Sequence, residues 1–134
     1  MKYIGSEKTY QELANFEYEN PMALDSLWLG LNALGKEITF AEIVKENFSL
    51  KKEIFFHVIR LLMTDGRLRL AKNGVFLTGT VDVQLQKFEA AFPASEESQK
   101  DIGGVSTWFF MDECPAGAVW VYQFEYGSEH LEWT

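Results

Sequence analysis

The stretch from Leu50 to Leu77, LKKEIFFHVIRLLMTDGRLRLAKNGVFL, constrains the fold more than any other part of the chain. On a helical wheel, Leu50, Ile54, Phe55, Val58, Ile59, Leu61 and Leu62 cover a very wide arc. Glu53, His57, Arg60 and Thr64 fall into one narrow polar strip. A helix that is apolar around most of its circumference has to be packed on more than one side, so residues 50–64 belong to a core. Asp65-Gly66 stops the helix, because glycine adopts the left-handed conformation of a helix terminus without steric cost. Beyond it Arg67 and Arg69 alternate with Leu68 and Leu70, and Asn73-Gly74 supplies the positive φ angles of a type I′ turn. A buried helix leading into a β-hairpin is therefore expected.

The rest of the chain is predicted around that unit. Thr9 and Glu12 have capping-box spacing in a first helix from Ser6 to about Tyr18, with Tyr10, Leu13 and Ala14 as its stripe. Asn20-Pro21 reads as N-cap and first position of a second helix carrying Leu24, Leu27, Trp28, Leu31 and Leu34 on one face, with Gly35 as its stop. Thr39 and Glu42 open a short third helix with Phe40, Ile43 and Val44 inward. Thr80 caps a helix striped by Val81, Leu85, Phe88 and Phe92, and Pro93 lies just beyond its end. Residues 94–104, ASEESQKDIGG, read as an acidic, mobile loop. Thr107–Met111 and Ala118–Phe124 are aromatic and β-branched and read as strands, with a third short strand over His130–Trp133 after a turn at Gly127-Ser128.

The expected class is α+β within a single domain spanning 1–134. A winged-helix-like helical half of about five helices plus the hairpin, its winged-helix unit over 21–78, supports a C-terminal antiparallel, aromatic-rich sheet over about 105–134. An apolar share of 47% excludes global disorder. No apolar run is long enough to span a bilayer, and the N-terminus lacks the apolar stretch of a secretory signal. The single Cys114 excludes an internal disulfide, so a reducing, cytoplasmic location is expected.

Charge narrows the partner. The formal net charge is −8, and residues 73–134 carry two Lys against ten Asp or Glu. Residues 50–72 are the opposite, with six Lys or Arg against Glu53 and Asp65. An acidic surface repels nucleic acid and suits a basic protein.

Two stretches, GRLRLAKNGVFLTGTVDVQLQKFEAAFP (66–93) and WFFMDECPAGAVWVYQFEYGSEHLEWT (108–134), resemble a small family of acidic, uncharacterised, single-domain bacterial proteins. Some of its members sit beside polymorphic or contact-dependent toxins. The similarity lies in the hairpin, the Gln-rich helix ending Phe-Pro, and the Cys-Pro-Ala-Gly turn before Val-Trp-Val-Tyr. It implies an immunity role and carries no site residue with it.

Catalytic groupings are weak. Glu53 and His57 share a helix face at i, i+4, a spacing more often explained by a surface pair than by acid–base chemistry. His130, beside Glu129 and near Glu132, reads as solvated. Cys114 follows Asp112 and Glu113, acids that disfavour a thiolate, and two His and one Cys far apart give no zinc spacing. No enzyme activity, metal or cofactor is expected.

The leading expectation is a protein-binding module, an immunity protein that neutralises a basic toxin domain such as a nuclease. Its contact candidates are Asp112, Glu113, Glu125, Tyr126, Glu129 and Glu132, set among Trp108, Phe109, Phe110, Trp120, Tyr122, Phe124 and Trp133. The alternative is a winged-helix regulator holding DNA through Arg67, Arg69 and Lys72. Its helix 50–64 offers too few Arg, Asn or Gln for base readout, which disfavours nucleic acid. A homodimer built on the aromatic sheet is the third possibility.

Overall fold

A computed structural model describes residues 7–31 and 48–134. Helix α1, Glu7–Glu19, buries Tyr10, Leu13, Ala14 and Glu17, one face at i, i+3, i+4 and i+7. Asn20 closes it: the backbone N–H and Nδ2 both donate to the Phe16 carbonyl, at 3.0 and 2.9 Å. Asn20 thus caps the end of one helix and does not open the next, correcting the expectation for Asn20-Pro21. Helix α2 runs Leu24–Gly30 from an N-cap at Ala23. The extended segment before it brings the Met22 carbonyl to Trp120, whose Nε1 donates at 2.9 Å. A buried indole N–H needs such an acceptor.

Leu24, Leu27, Trp28 and Leu31 are buried together as their spacing requires. Ser6, Leu34, Gly35 and the short helix expected around Thr39, Phe40, Glu42, Ile43 and Val44 lie outside the described residues.

Helix α3, Phe48–Thr64, is the buried helix of the opening stretch, with Ile54, Phe55, Phe56, Val58, Ile59, Leu62 and Met63 all in the core. It ends at Gly66, φ 75°. Gly66 N donates to Met63 O and Arg67 N to Leu62 O, both at 3.0 Å, the paired bonds of a Schellman stop. Strands β1 (Leu68–Lys72) and β2 (Val75–Phe76) follow, joined through Asn73 and Gly74 at φ 52° and 79°. Helix α4, Val81–Ala91, starts at Thr80, whose side chain accepts from Val83 N.

Two segments differ from expectation. Residues 94–104 are not a loop: Glu97–Ile102 form a 3-10 helix, opened by Ser95, whose Oγ accepts from Ser98 N at 3.1 Å. Thr107–Met111 is not a strand: helix α5, Val105–Trp108, is followed by tight turns. Adjacent Trp108 and Phe109 are both buried. A strand would send them to opposite faces, whereas a helical turn can direct both toward Phe88 and Phe92. The C-terminal strands are β3, Gly117–Gln123, and β4, Glu129–Trp133.

The hairpin of the opening stretch and the C-terminal strands form one antiparallel sheet of order β2-β1-β3-β4. Leu68 pairs with Trp120 and Leu70 with Ala118, so β1 and β3 share an inner face against the helices. The hairpin is thus part of the sheet it was expected to support. The class is α+β. On the outer face Arg69, Ala71, Phe76, Gly117, Val119 and Trp133 share one parity of the register. Phe76 and Trp133 come from the two edge strands, yet their rings lie 5.1 Å apart. Ala71 and Gly117 leave room beneath them, and the sheet curls. Arg69 lies 3.5 Å over the Phe76 ring, and Val119 below is buried.

Candidate partner-binding surface

The acidic candidates occupy opposite ends of β3. Asp112 and Glu113 sit in the turns before it, Glu125 and Tyr126 in the turn after it, and the strand spans seven residues, about 20 Å. Glu129 and Glu132 lie on β4 opposite Gln123 and Trp120. Glu129 accepts from Gln123 Nε2 at 3.2 Å and Glu132 contacts His130 Nε2 at 2.7 Å. All six are exposed. Among the described residues, no ion pair or side-chain hydrogen bond occupies Asp112, Glu113 or Glu125.

The sequence placed these residues in one aromatic-and-acidic patch; the structure brings together only part of it. At the β3–β4 turn, Phe124 N donates to Ser128 O at 2.9 Å and Gly127 N to Phe124 O at 3.0 Å. This tight closure holds Glu125 and Tyr126 out into solvent, with Tyr126 94% exposed and Phe124 half-exposed beside them. Phe124 packs 6.2 Å from the His130 ring. Trp108, Phe109 and Trp120 are core residues, while Phe110 and Trp133 remain exposed elsewhere.

The basic candidates are engaged within the molecule. Arg67 donates to Asn15 Oδ1 at 2.8 Å and Asp65 Oδ2 at 2.9 Å, and lies over the Tyr18 ring. Lys72 Nζ donates to the Cys114 carbonyl at 2.7 Å and the Met111 carbonyl at 3.4 Å. Arg69 covers Phe76. Each supports the sheet or the turn beside it.

His57 pairs with Glu7 at 3.3 Å rather than with Glu53, its ring edge-on to Tyr10. Cys114 is fully buried, and its Sγ contacts the Ala116 carbonyl at 3.2 Å. Burial pushes its thiol upward in pKa, outweighing the lowering influence of Ala116 and Lys72. A protonated, enclosed thiol is a poor nucleophile. Among the described residues no three His, Cys, Asp or Glu side chains converge to hold a metal ion, and no helix is long and apolar enough to cross a membrane. Two open clefts lie on the surface, one beside Lys72 and Lys87 and one beside Ser49, Lys52, Glu53 and Glu89.

Three polar residues escaped the sequence reading. Glu17 lies on the buried stripe of α1, and Lys51 on the broad apolar arc of α3; a wheel that included polar positions marks both. Lys51 Nζ sits 4.1 Å over the Trp28 ring. Glu96 accepts from Trp28 Nε1 at 3.2 Å and from Val105 N at 3.1 Å. These bonds anchor the 94–104 segment to α2 and α5 through contacts remote in sequence.

A family model described as a protein of unknown function, DUF596, matches residues 63–134. Among solved structures, the chain is similar to an uncharacterized protein conserved in bacteria, COG3792, from Neisseria meningitidis, at 23% identity and a TM-score of 0.69. The match covers 92% of this chain and 87% of that one. At that identity the likeness is one of fold. No curated protein matches the chain.

Proposed function

The chain belongs to the DUF596 family of uncharacterised bacterial proteins, and from that premise we propose that it is a non-enzymatic module that captures a basic protein. The observation that carries this reading is the β3–β4 turn. Tyr126 and Phe124 are held out of the core next to Glu125, a carboxylate with no cationic partner among the described residues. An amphipathic ring on a short, braced turn contacts a partner at low entropic cost. Surrounding negative charge steers a cationic partner toward it.

The partner class is the one implied by the family resemblance: a basic toxin domain, neutralised in the cytoplasm by occlusion. The internal engagement of Arg67 and Lys72 weighs against DNA as the target, since phosphate contacts need several free cations and Arg69 alone remains exposed among the three. Co-expression with a basic toxin domain, sought first among the products of the neighbouring genes, tests the proposal. The expected result is a co-purifying complex and protected cells. Unprotected cells, with no complex between the two purified proteins, would overturn it.

A further inference from the structure

We propose that the free edge of β4 pairs with β4 of a second copy, extending the sheet across a two-fold axis centred on Leu131. The inference goes beyond the capture of a toxin and does not depend on it. It starts from the direction of the backbone groups. Phe124 N donates to Ser128 O and Thr134 N to Ala118 O. The alternation of an antiparallel ladder then turns His130 and Glu132 toward β3 and leaves the N–H and C=O groups of Glu129, Leu131 and Trp133 facing outward. Among the described residues β4 is the terminal strand of the sheet, so these groups form an open edge.

Antiparallel pairing of that edge with its own copy can use all three outward-facing residues in one register. Leu131 then faces Leu131 of the other copy, and Glu129 faces Trp133. The same register sets His130 opposite Glu132 on both sides of the axis. Moving the axis to His130 sets the two histidines against each other, and moving it to Glu132 opposes two carboxylates, which is unfavourable. The sequence Glu129-His130-Leu131-Glu132-Trp133 therefore sets each histidine against a carboxylate that can accept from it, in the register that satisfies the most backbone groups. Leu131 and the half-exposed Trp133 lie on the outer face of the joined strands, where Phe76 already stacks on Trp133.

Sedimentation equilibrium of the full chain at up to about 100 µM, a range that detects even weak association, is expected to show a dimer. His130→Glu sets carboxylates against carboxylates and is expected to weaken it at least ~10-fold. The exchange His130→Glu with Glu132→His restores opposite partners in this register and is expected to recover affinity to within ~3-fold of the parent. Leu131→Pro removes an outward N–H that β3 does not use, and is expected to abolish the dimer while leaving the circular dichroism spectrum native. A monomeric parent overturns the proposal. So does a dimer that survives in a natively folded Leu131→Pro chain, or an exchange variant as weak as His130→Glu. If Leu131→Pro disturbs the fold, the exchange pair decides alone.

Discussion

Tyr18 and Tyr122, at the end of α1 and within β3, stack at 4.6 Å and tie each other's elements with reciprocal hydrogen bonds. Tyr122 OH donates to the Tyr18 carbonyl and Tyr18 OH to the Val121 carbonyl, both at 2.7 Å. Arg67 lies over the outer side of Tyr18. This knot joins the N-terminal helix to the strand that carries the candidate surface. Tyr18→Phe and Tyr122→Phe each remove a donor and leave a partly buried carbonyl short of its partner, so each is expected to destabilise by about 1 to 2 kcal/mol. Urea denaturation of both single variants and the double variant checks this. The shared stack predicts that the two losses do not add.

Glu17 gives the fold a measurable pH dependence. Burial, with repulsion from Asp25 second, raises its pKa from 4.5 to about 7. Between those values the folded protein holds a proton that the unfolded chain has released. Stability from this group is therefore complete below pH 4.5 and is lost as pH rises through about 7. The loss is on the order of 3 kcal/mol. Glu17→Gln is expected to match the parent near pH 4.5 and exceed it at pH 8. Parallel stability curves for the two proteins would contradict the assignment.

Most regular elements were legible because their signals are local. Thr80 reads as an N-cap from its own neighbours, Asn73-Gly74 fixes a type I′ turn by itself, and Gly66 ends α3 within its own last turn. The failures share a different cause. Asn20 has two helix ends within reach, and the segment that follows it, rather than continuing into helix, presents the Met22 carbonyl to Trp120 far along the chain. Thr107–Met111 has strand composition but packs as a helical turn because Trp108 and Phe109 both enter the aromatic core. Likewise, Arg67 and Lys72 look available in sequence until Asn15, Tyr18 and the Cys114 turn arrive from distant positions. The candidate site was half legible: residue types and charge marked the C-terminal hairpin, while the separation of its acids by the length of β3 required the register.

Lys51 tests whether a buried cation helps this core. Its ammonium lies over Trp28 with Glu96 nearby, two favourable influences, yet burial wins and lowers its pKa from 10.5 to about 8. The unfolded chain therefore binds this proton more tightly. The cost is present at neutral pH and fades as pH rises from about 8 through 10.5. Lys51→Met keeps the stem and the contact with the indole face, and is expected to stabilise by about 1 to 2 kcal/mol at pH 7. The gain should shrink as pH rises above about 8. Thermal unfolding at pH 7 and pH 10 reads both, and a destabilised variant at pH 7 would mean that the Trp28 and Glu96 contacts outweigh burial.

In the proposed capture of a basic protein, substitutions in the β3–β4 turn separate contact from steering. Tyr126 is 94% exposed, so Tyr126→Ala is expected to leave folding stability within about 0.5 kcal/mol of the parent. Its loss from the centre of an interface accelerates dissociation, with affinity for the basic partner falling about 30-fold or more. Glu125→Lys acts earlier, on the encounter: it is expected to slow association several-fold at low salt, with the difference closing as salt is raised. Surface plasmon resonance with the immobilised toxin domain resolves the two rates. If Tyr126→Ala and Glu125→Lys both bind like the parent at every salt concentration, the partner engages another face, and the exposed Phe110 beside Asp112 and Glu113 becomes the next surface to substitute.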